Sequence, residues 1–125
     1  MRVERAPHVL VVDDETALAD IIGAYLEASG YRITVANDGW QALALYERDP
    51  ADAVITDFAM PGMNGRDLVA DLRRRRPDLP AIMVSGYVSM QQLDLDPLLL
   101  LNKPVSLATL TRHLRDLLGN TGSGQ

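Results

Sequence analysis

Segments of this chain that read as strands end in polar residues able to handle phosphate or a divalent cation. Asp13 and Asp14 follow Val12, Asp57 follows Thr56, Ser85 and Gly86 follow Val84, and Lys103 with Pro104 closes a leucine run. Open α/β folds place their chemistry at the carboxyl edge of a parallel sheet, so these residues are expected to meet at one edge. Three carboxylates gathered there would repel one another unless a cation sat among them. Mg2+ suits the position, being a hard cation that takes oxygen ligands, uses few carboxylates and keeps several waters. Asp13, Asp14, Asp57 and Lys103 together carry a charge of −2, which one Mg2+ neutralises. A phosphoryl group could then approach Asp57, because carboxylates act as covalent nucleophiles toward phosphorus. Such transfers depend on in-line positioning and on charge neutralisation by metal and lysine. The Ser85 hydroxyl, with the small Gly86 beside it, could donate to the phosphoryl oxygens.

The elements that must position these groups alternate. His8 to Val12 is a short apolar run that reads as a buried parallel strand. Leu18, Ile21, Ile22, Tyr25 and Leu26 then recur at helical spacing, predicting an amphipathic helix over Glu15 to Ser29 closed by Gly30. A second strand spans Arg32 to Ala36, and a second helix runs from about Trp40 to Asp49 with Ala42, Leu43 and Tyr46 inward. Ala53 to Thr56 forms the third strand. A helix from about Gly65 to Arg76 packs Leu68, Val69 and Leu72 and ends at Pro77. Ala81 to Val84 and Leu98 to Leu101 complete the strands. Leu107, Leu110, Leu114, Leu117 and Leu118 give a last helix its face, with Ser106 as N-cap. This alternation implies βαβ units, a parallel sheet and right-handed crossovers. Gly86 to Pro97 breaks the rhythm: its apolar residues are irregular, and Asp94, Asp96 and Pro97 disfavour a helix, so that helix is expected to be short, frayed or missing.

With 125 residues and 47% hydrophobic content, the chain suits one compact domain over residues 1–118, followed by a flexible tail or linker, 119–125, of composition GNTGSGQ. A net charge of −5 argues against a nucleic-acid surface. The Arg73 to Arg76 run reads as a solvated helix face complementing the dipole. Cysteine is absent, which excludes disulfides and thiolate metal sites. No run approaches the roughly 20 apolar residues of a membrane span, and residues 1–7 lack the apolar core of a signal peptide. A soluble cytoplasmic domain without membrane insertion is expected.

The stretch Asp57-Phe58-Ala59-Met60-Pro61-Gly62-Met63-Asn64-Gly65 is the most specific motif. Together with the acidic pair, Ser85 and Lys103-Pro104, it resembles the receiver domain of bacterial two-component response regulators, from about His8 to Leu118. The resemblance implies a doubly wound, flavodoxin-like sheet of five parallel strands in the order 2-1-3-4-5. It implies that Asp57 accepts a phosphoryl group from a histidine kinase or a histidine phosphotransfer protein in a Mg2+-dependent reaction. By position, Asp14 would bind the metal directly, Asp13 mainly through water, and the Ala59 carbonyl alongside Asp57. Ser85 and Lys103 would contact the phosphoryl group, with backbone donors from Phe58, Ala59 and Gly86, and Lys103-Pro104 would be cis. Such a domain catalyses its own phosphorylation and dephosphorylation without converting a metabolite, and signals to an output domain or a downstream protein by changing conformation.

Two positions depart from that pattern. Receivers commonly carry Tyr or Phe three residues before the lysine, where Leu100 stands here, and Tyr87 is the candidate replacement. Ser85 to Lys103 is also a few residues short, as in the receivers of some hybrid histidine kinases and stand-alone regulators. A receiver-like interaction module working without phosphorylation is the alternative reading. An aspartyl phosphatase is disfavoured because Ala59 stands where a second acid would be needed, and a dinucleotide enzyme because no G-x-G-x-x-G follows the first strand.

Overall fold

A period of two puts Val9 and Val11 on one side of a strand and Leu10 and Val12 on the other. Both sides are apolar, so β1 (His8–Val12) has no face suited to water, and all of its residues are buried. The computed structural model describes residues 6–86 and 99–122. β3 (Ala53–Asp57) and β4 (Ala81–Ser85) are buried throughout, while β2 (Arg32–Ala36) and β5 (Leu99–Asn102) are partly exposed. Burial follows position: the five strands form one parallel sheet in the order β2-β1-β3-β4-β5, as expected, with the exposed strands at its edges.

Four helices are found among the described residues: α1 (Thr16–Ala28), α2 (Gly39–Arg48), α3 (Gly65–Arg75) and α4 (Leu107–Gly122). The stretch expected to hold a short or degenerate helix between β4 and β5, and Tyr87 within it, lie outside the described residues apart from Gly86. On one face of the sheet, Ala19, Ile22 and Leu26 of α1 and Leu110 and Leu114 of α4 pack with Val9, Val11, Ile55, Ile82 and Val84. On the other, Ala42, Tyr46, Leu68, Val69 and Leu72 of α2 and α3 pack with Leu10, Val12, Val54 and Met83.

Local sequence explains where the helices begin. Asp38 caps α2 by accepting from the Gln41 N–H at 2.7 Å, and the Gln41 side chain reaches back to the Asn37 N–H at 2.6 Å. Asn64 caps α3 through the Asp67 N–H at 2.8 Å, and Ser106 caps α4 through the Thr109 N–H at 3.0 Å, as predicted.

Three expectations are corrected. Ile21 and Tyr25, assigned inward by periodicity, are 56% and 39% exposed. The buried line of α1 instead includes Ala19 and Gly23, and a Cβ at Gly23 would come within 3.2 Å of Ile33 and Val35. Small residues bring α1 close to β2 and rotate its two larger side chains outward. α4 continues through Gly122, taking in residues 119–122 that composition assigned to the tail. Glycine and asparagine inside a helix weaken it without the hydrogen-bond loss and clash that proline brings. The arginine run is not simply a solvated face. Arg73 donates twice to the Leu79 carbonyl, at 3.1 and 2.9 Å, Arg75 pairs with Glu47 at 2.6 Å, and Arg76 with Asp78 at 3.4 Å.

The amino edge of the sheet is closed by His8, which is 2% exposed. Its Nδ1 lies 3.0 Å from the Pro50 carbonyl, which can only accept, so Nδ1 donates there. Its Nε2 lies 2.7 Å from the Thr34 hydroxyl. Replacing His8 with Leu removes both hydrogen bonds, which join a buried ring to part-buried partners. The expected loss is about 1–3 kcal/mol, read as a lower urea midpoint, with any chemistry at the opposite edge of the sheet unaffected.

Candidate functional site

Parallel pairing of β1 with β3 matches Val12 to Thr56, so the residues that follow, Asp13 and Asp57, emerge side by side. This is the β1/β3 switch point, where β2 and β3 diverge from the central strand and leave a crevice. Asp13 and Asp57 are buried, at 5% and 7% exposure, and Asp14 is exposed. Carboxylate oxygens from the three residues lie within 4.8 Å of one another. That donor set is all hard oxygen with one side open to solvent, which fits Mg2+.

Hydrogen bonds fix Asp13 and the backbone at Asp57. The Asp13 Oδ1 accepts from the Glu15 N–H at 2.9 Å, and the Asp13 N–H donates to the Ala36 carbonyl at 3.1 Å. The Thr56 hydroxyl donates to the Asp57 carbonyl at 2.9 Å. Behind Asp57, the Gly65 N–H donates to the Phe58 carbonyl at 2.8 Å. A Cβ on Gly65 would collide with the Asp57 carbonyl oxygen and come within 3.1 Å of the Phe58 Cα. α3 can therefore start directly against the back of Asp57 only because Gly65 carries no side chain.

Lys103 supplies the counter-charge. Its Nζ lies 3.2 Å from the Asp57 Oδ1, and the Lys103-Pro104 bond that follows it is cis, as expected. The Lys103 N–H donates to the Ser85 carbonyl at 2.9 Å, which locks the ends of β4 and β5 together. Burial raises the pKa of Asp57; the hydrogen bond and charge of Lys103 pull it down without offsetting the burial, and the Asp14 charge pushes it further up. Asp13 is raised too, first by burial, against the Glu15 N–H that lowers it, with the Asp57 charge adding to the rise. Burial works against the Lys103 charge, but the hydrogen bond and charge of Asp57, with Asp13 and Glu15, hold its pKa above the usual lysine value.

The structure thus brings together Asp13, Asp14, Asp57 and Lys103. Ser85 is buried at the end of β4, with Gly86 exposed beside it, and Ala59 is exposed two residues beyond Asp57. Phe58 is half-buried, and its N–H donates to the Val84 carbonyl at 3.0 Å, while it also lowers the Asp57 pKa. Leu100 is half-buried and packs against the cluster under α2 and α3. Sequence reasoning overlooked Thr56. Its signal is a hydroxyl in an otherwise apolar strand, one residue before the acid.

A family model described as the response regulator receiver domain matches residues 9–115. The chain is 35% identical over 118 residues to the "Probable transcriptional regulatory protein TcrX" of Mycobacterium tuberculosis, covering 91% of this chain and 50% of that protein. It is 37% identical over 79 residues to the response regulator SaeR of Staphylococcus aureus, covering 63% of this chain and 34% of that one. It therefore spans half or less of these curated relatives. A CheY-like response regulator receiver domain protein from Methanospirillum hungatei superimposes with a TM-score of 0.86 at 26% identity, covering 97% of this chain and all of that one.

The raised acids set a direction for stability. Between the ordinary aspartate value of 3.8 and its raised value, folded Asp13 binds more protons than the unfolded chain. Its contribution is therefore complete below 3.8 and lost as pH rises through the folded value. Asp13→Asn keeps the oxygen that accepts from Glu15 and removes the charge. In chelator-treated buffer at pH 7 it should raise the urea midpoint, and the gain over wild type should close as pH falls toward 3.8.

Proposed function

The chain belongs to the response regulator receiver family, and from that premise we propose that it is a phosphoacceptor in a two-component phosphorelay, with Asp57 as the acceptor. The observation that carries the proposal is a nucleophilic carboxylate 3.2 Å from a lysine, in a crevice where two further carboxylates lie within 4.8 Å. Receivers interact with histidine kinases, and a phosphohistidine of a kinase or of a phosphotransfer protein is the proposed donor. An Asp57 oxygen attacks phosphorus in line as the P–N bond breaks, and the electron pair returns to the donor imidazole, which takes a proton.

In this reading Lys103 follows charge from the Asp57 carboxylate onto the phosphoryl oxygens, to which the Ser85 hydroxyl and the Ala59 and Gly86 N–H groups also donate. The Phe58 N–H stays engaged with the Val84 carbonyl and keeps its influence on Asp57. Asp13, Asp14, Asp57 and the Ala59 carbonyl would hold Mg2+, which supplies charge neutralisation for the transfer when bound. Burial of Asp57 removes competing water. The chain modifies and demodifies itself and turns over no metabolite. We assign the sheet and its four helices to this module, which is expected to act in the cytoplasm, with its output on a further segment or a separate protein.

Intact-mass measurement after incubation with acetyl phosphate tests the proposal. One phosphoryl increment should appear with Mg2+, vanish with chelator and be absent from Asp57→Asn. Lys103→Ala should slow its appearance by about 100-fold. No adduct in wild type under any condition would overturn the proposal in favour of an interaction module that works without phosphorylation.

A further inference from the structure

The loop that leaves Asp57 is gripped at its tip by a reciprocal lock with the start of α2. Gly62, at the tip, has φ of 82°, and a Cβ there would lie 2.5 Å from Cη2 and Cζ3 of Trp40, so the indole lies directly against the Gly62 backbone. One residue on, the arrangement reverses. Met63 fills the space over Gly39, where a Cβ would come 2.5 Å from its Sδ and 2.9 Å from its Cβ. Each side thus contributes one side chain and one glycine that receives it: Trp40 and Gly39 from α2, Met63 and Gly62 from the loop.

The base of the same loop is pinned separately. The Phe58 N–H bonds to Val84, the Gly65 N–H bonds to Phe58, and Met60 is 7% exposed in the core. Ala59 is exposed and lies between the pinned Phe58 and Met60, on the arm of the loop that leads to the gripped tip. Its carbonyl and N–H are the groups the proposed chemistry asks of this loop. Trp40 itself remains 58% exposed; burial in the core does not account for it, whereas its fit over Gly62 does.

Resting on the phosphoacceptor reading above, we infer that Trp40 and Met63 are positioning residues for phosphoryl transfer, holding the loop so that the Ala59 backbone is set for the metal and the phosphoryl group. Loosening a positioned group by about 1 Å can cost on the order of 100-fold in rate, and an exposed lock is a partial constraint. Trp40→Ala is therefore expected to slow acetyl phosphate labelling of Asp57 about 10-fold. The same variant should weaken Mg2+ binding, followed through amide shifts of residues 57–60, by a similar factor, and Trp40→Phe should recover most of both.

Because Trp40 is exposed, its replacement leaves the core intact, and an unchanged urea midpoint checks that point. Met63→Ala should reproduce the effect, and the double variant should fall no further than the worse single one, since the two act as one unit. Wild-type labelling and Mg2+ affinity in Trp40→Ala would overturn the inference, as would full additivity. If wild type takes up no phosphoryl group, the phosphoacceptor reading fails, and the Mg2+ titration of wild type against Trp40→Ala then decides the lock alone. The single tryptophan gives a further readout: wild-type emission should shift on Mg2+ addition, and an unmoved spectrum counts against the lock.

Discussion

Like charges forced together govern this fold. The β1–β3 register delivers Asp13 and Asp57 to adjacent positions, and Asp14 adds a third charge within 4.8 Å. Burial raises both inner acids, and one lysine offsets only part of the repulsion. An isolated turn with this arrangement would open. Here it cannot, because the acids end two fully buried strands, each flanked on both sides by other strands. The sheet thus stores an electrostatic cost at its carboxyl edge, which a cation among the three acids would relieve.

Such an edge must be matched by order elsewhere. At the amino edge, His8 ties β1 to Thr34 of β2 and to Pro50 before β3, and the Asp52 carboxylate accepts from the His8 N–H at 2.8 Å. Arg73 closes the turn between α3 and β4 through Leu79. One edge has its polar groups joined to each other, while the other keeps carboxylate oxygens turned toward a crevice.

The alternation of strands and helices was legible because the apolar periods are strong and the polar terminators sit at fixed offsets. Asp13, Asp14, Asp57 and Lys103 were legible as a cluster because parallel topology sends every strand's end to one edge. The rotation of α1 was not legible. Ile21 and Tyr25 fit the helical period as well as Ile22 and Leu26 do, and the difference comes from how closely Gly23 lets the helix approach Ile33 and Val35. The arginine run was misread for a related reason: charge composition carries no information about a carbonyl that the chain returns six residues later. The pairing of Trp40 with Gly62 links segments separated by a strand, so no local pattern could report it.

Leu100 matters because of what it leaves as the link between site and edge strand. A leucine has neither the ring nor the hydroxyl of the residue commonly found there, and it is packed with Met83, its partner in the β4–β5 register. Among the described residues, one connection runs through the backbone and the Lys103 side chain. Ser85 pairs with Asn102, the Lys103 N–H donates to the Ser85 carbonyl, and the Lys103 side chain reaches Asp57. A change of charge at Asp57 therefore acts on β5 first through the lysine at its end and the ladder that fixes that lysine.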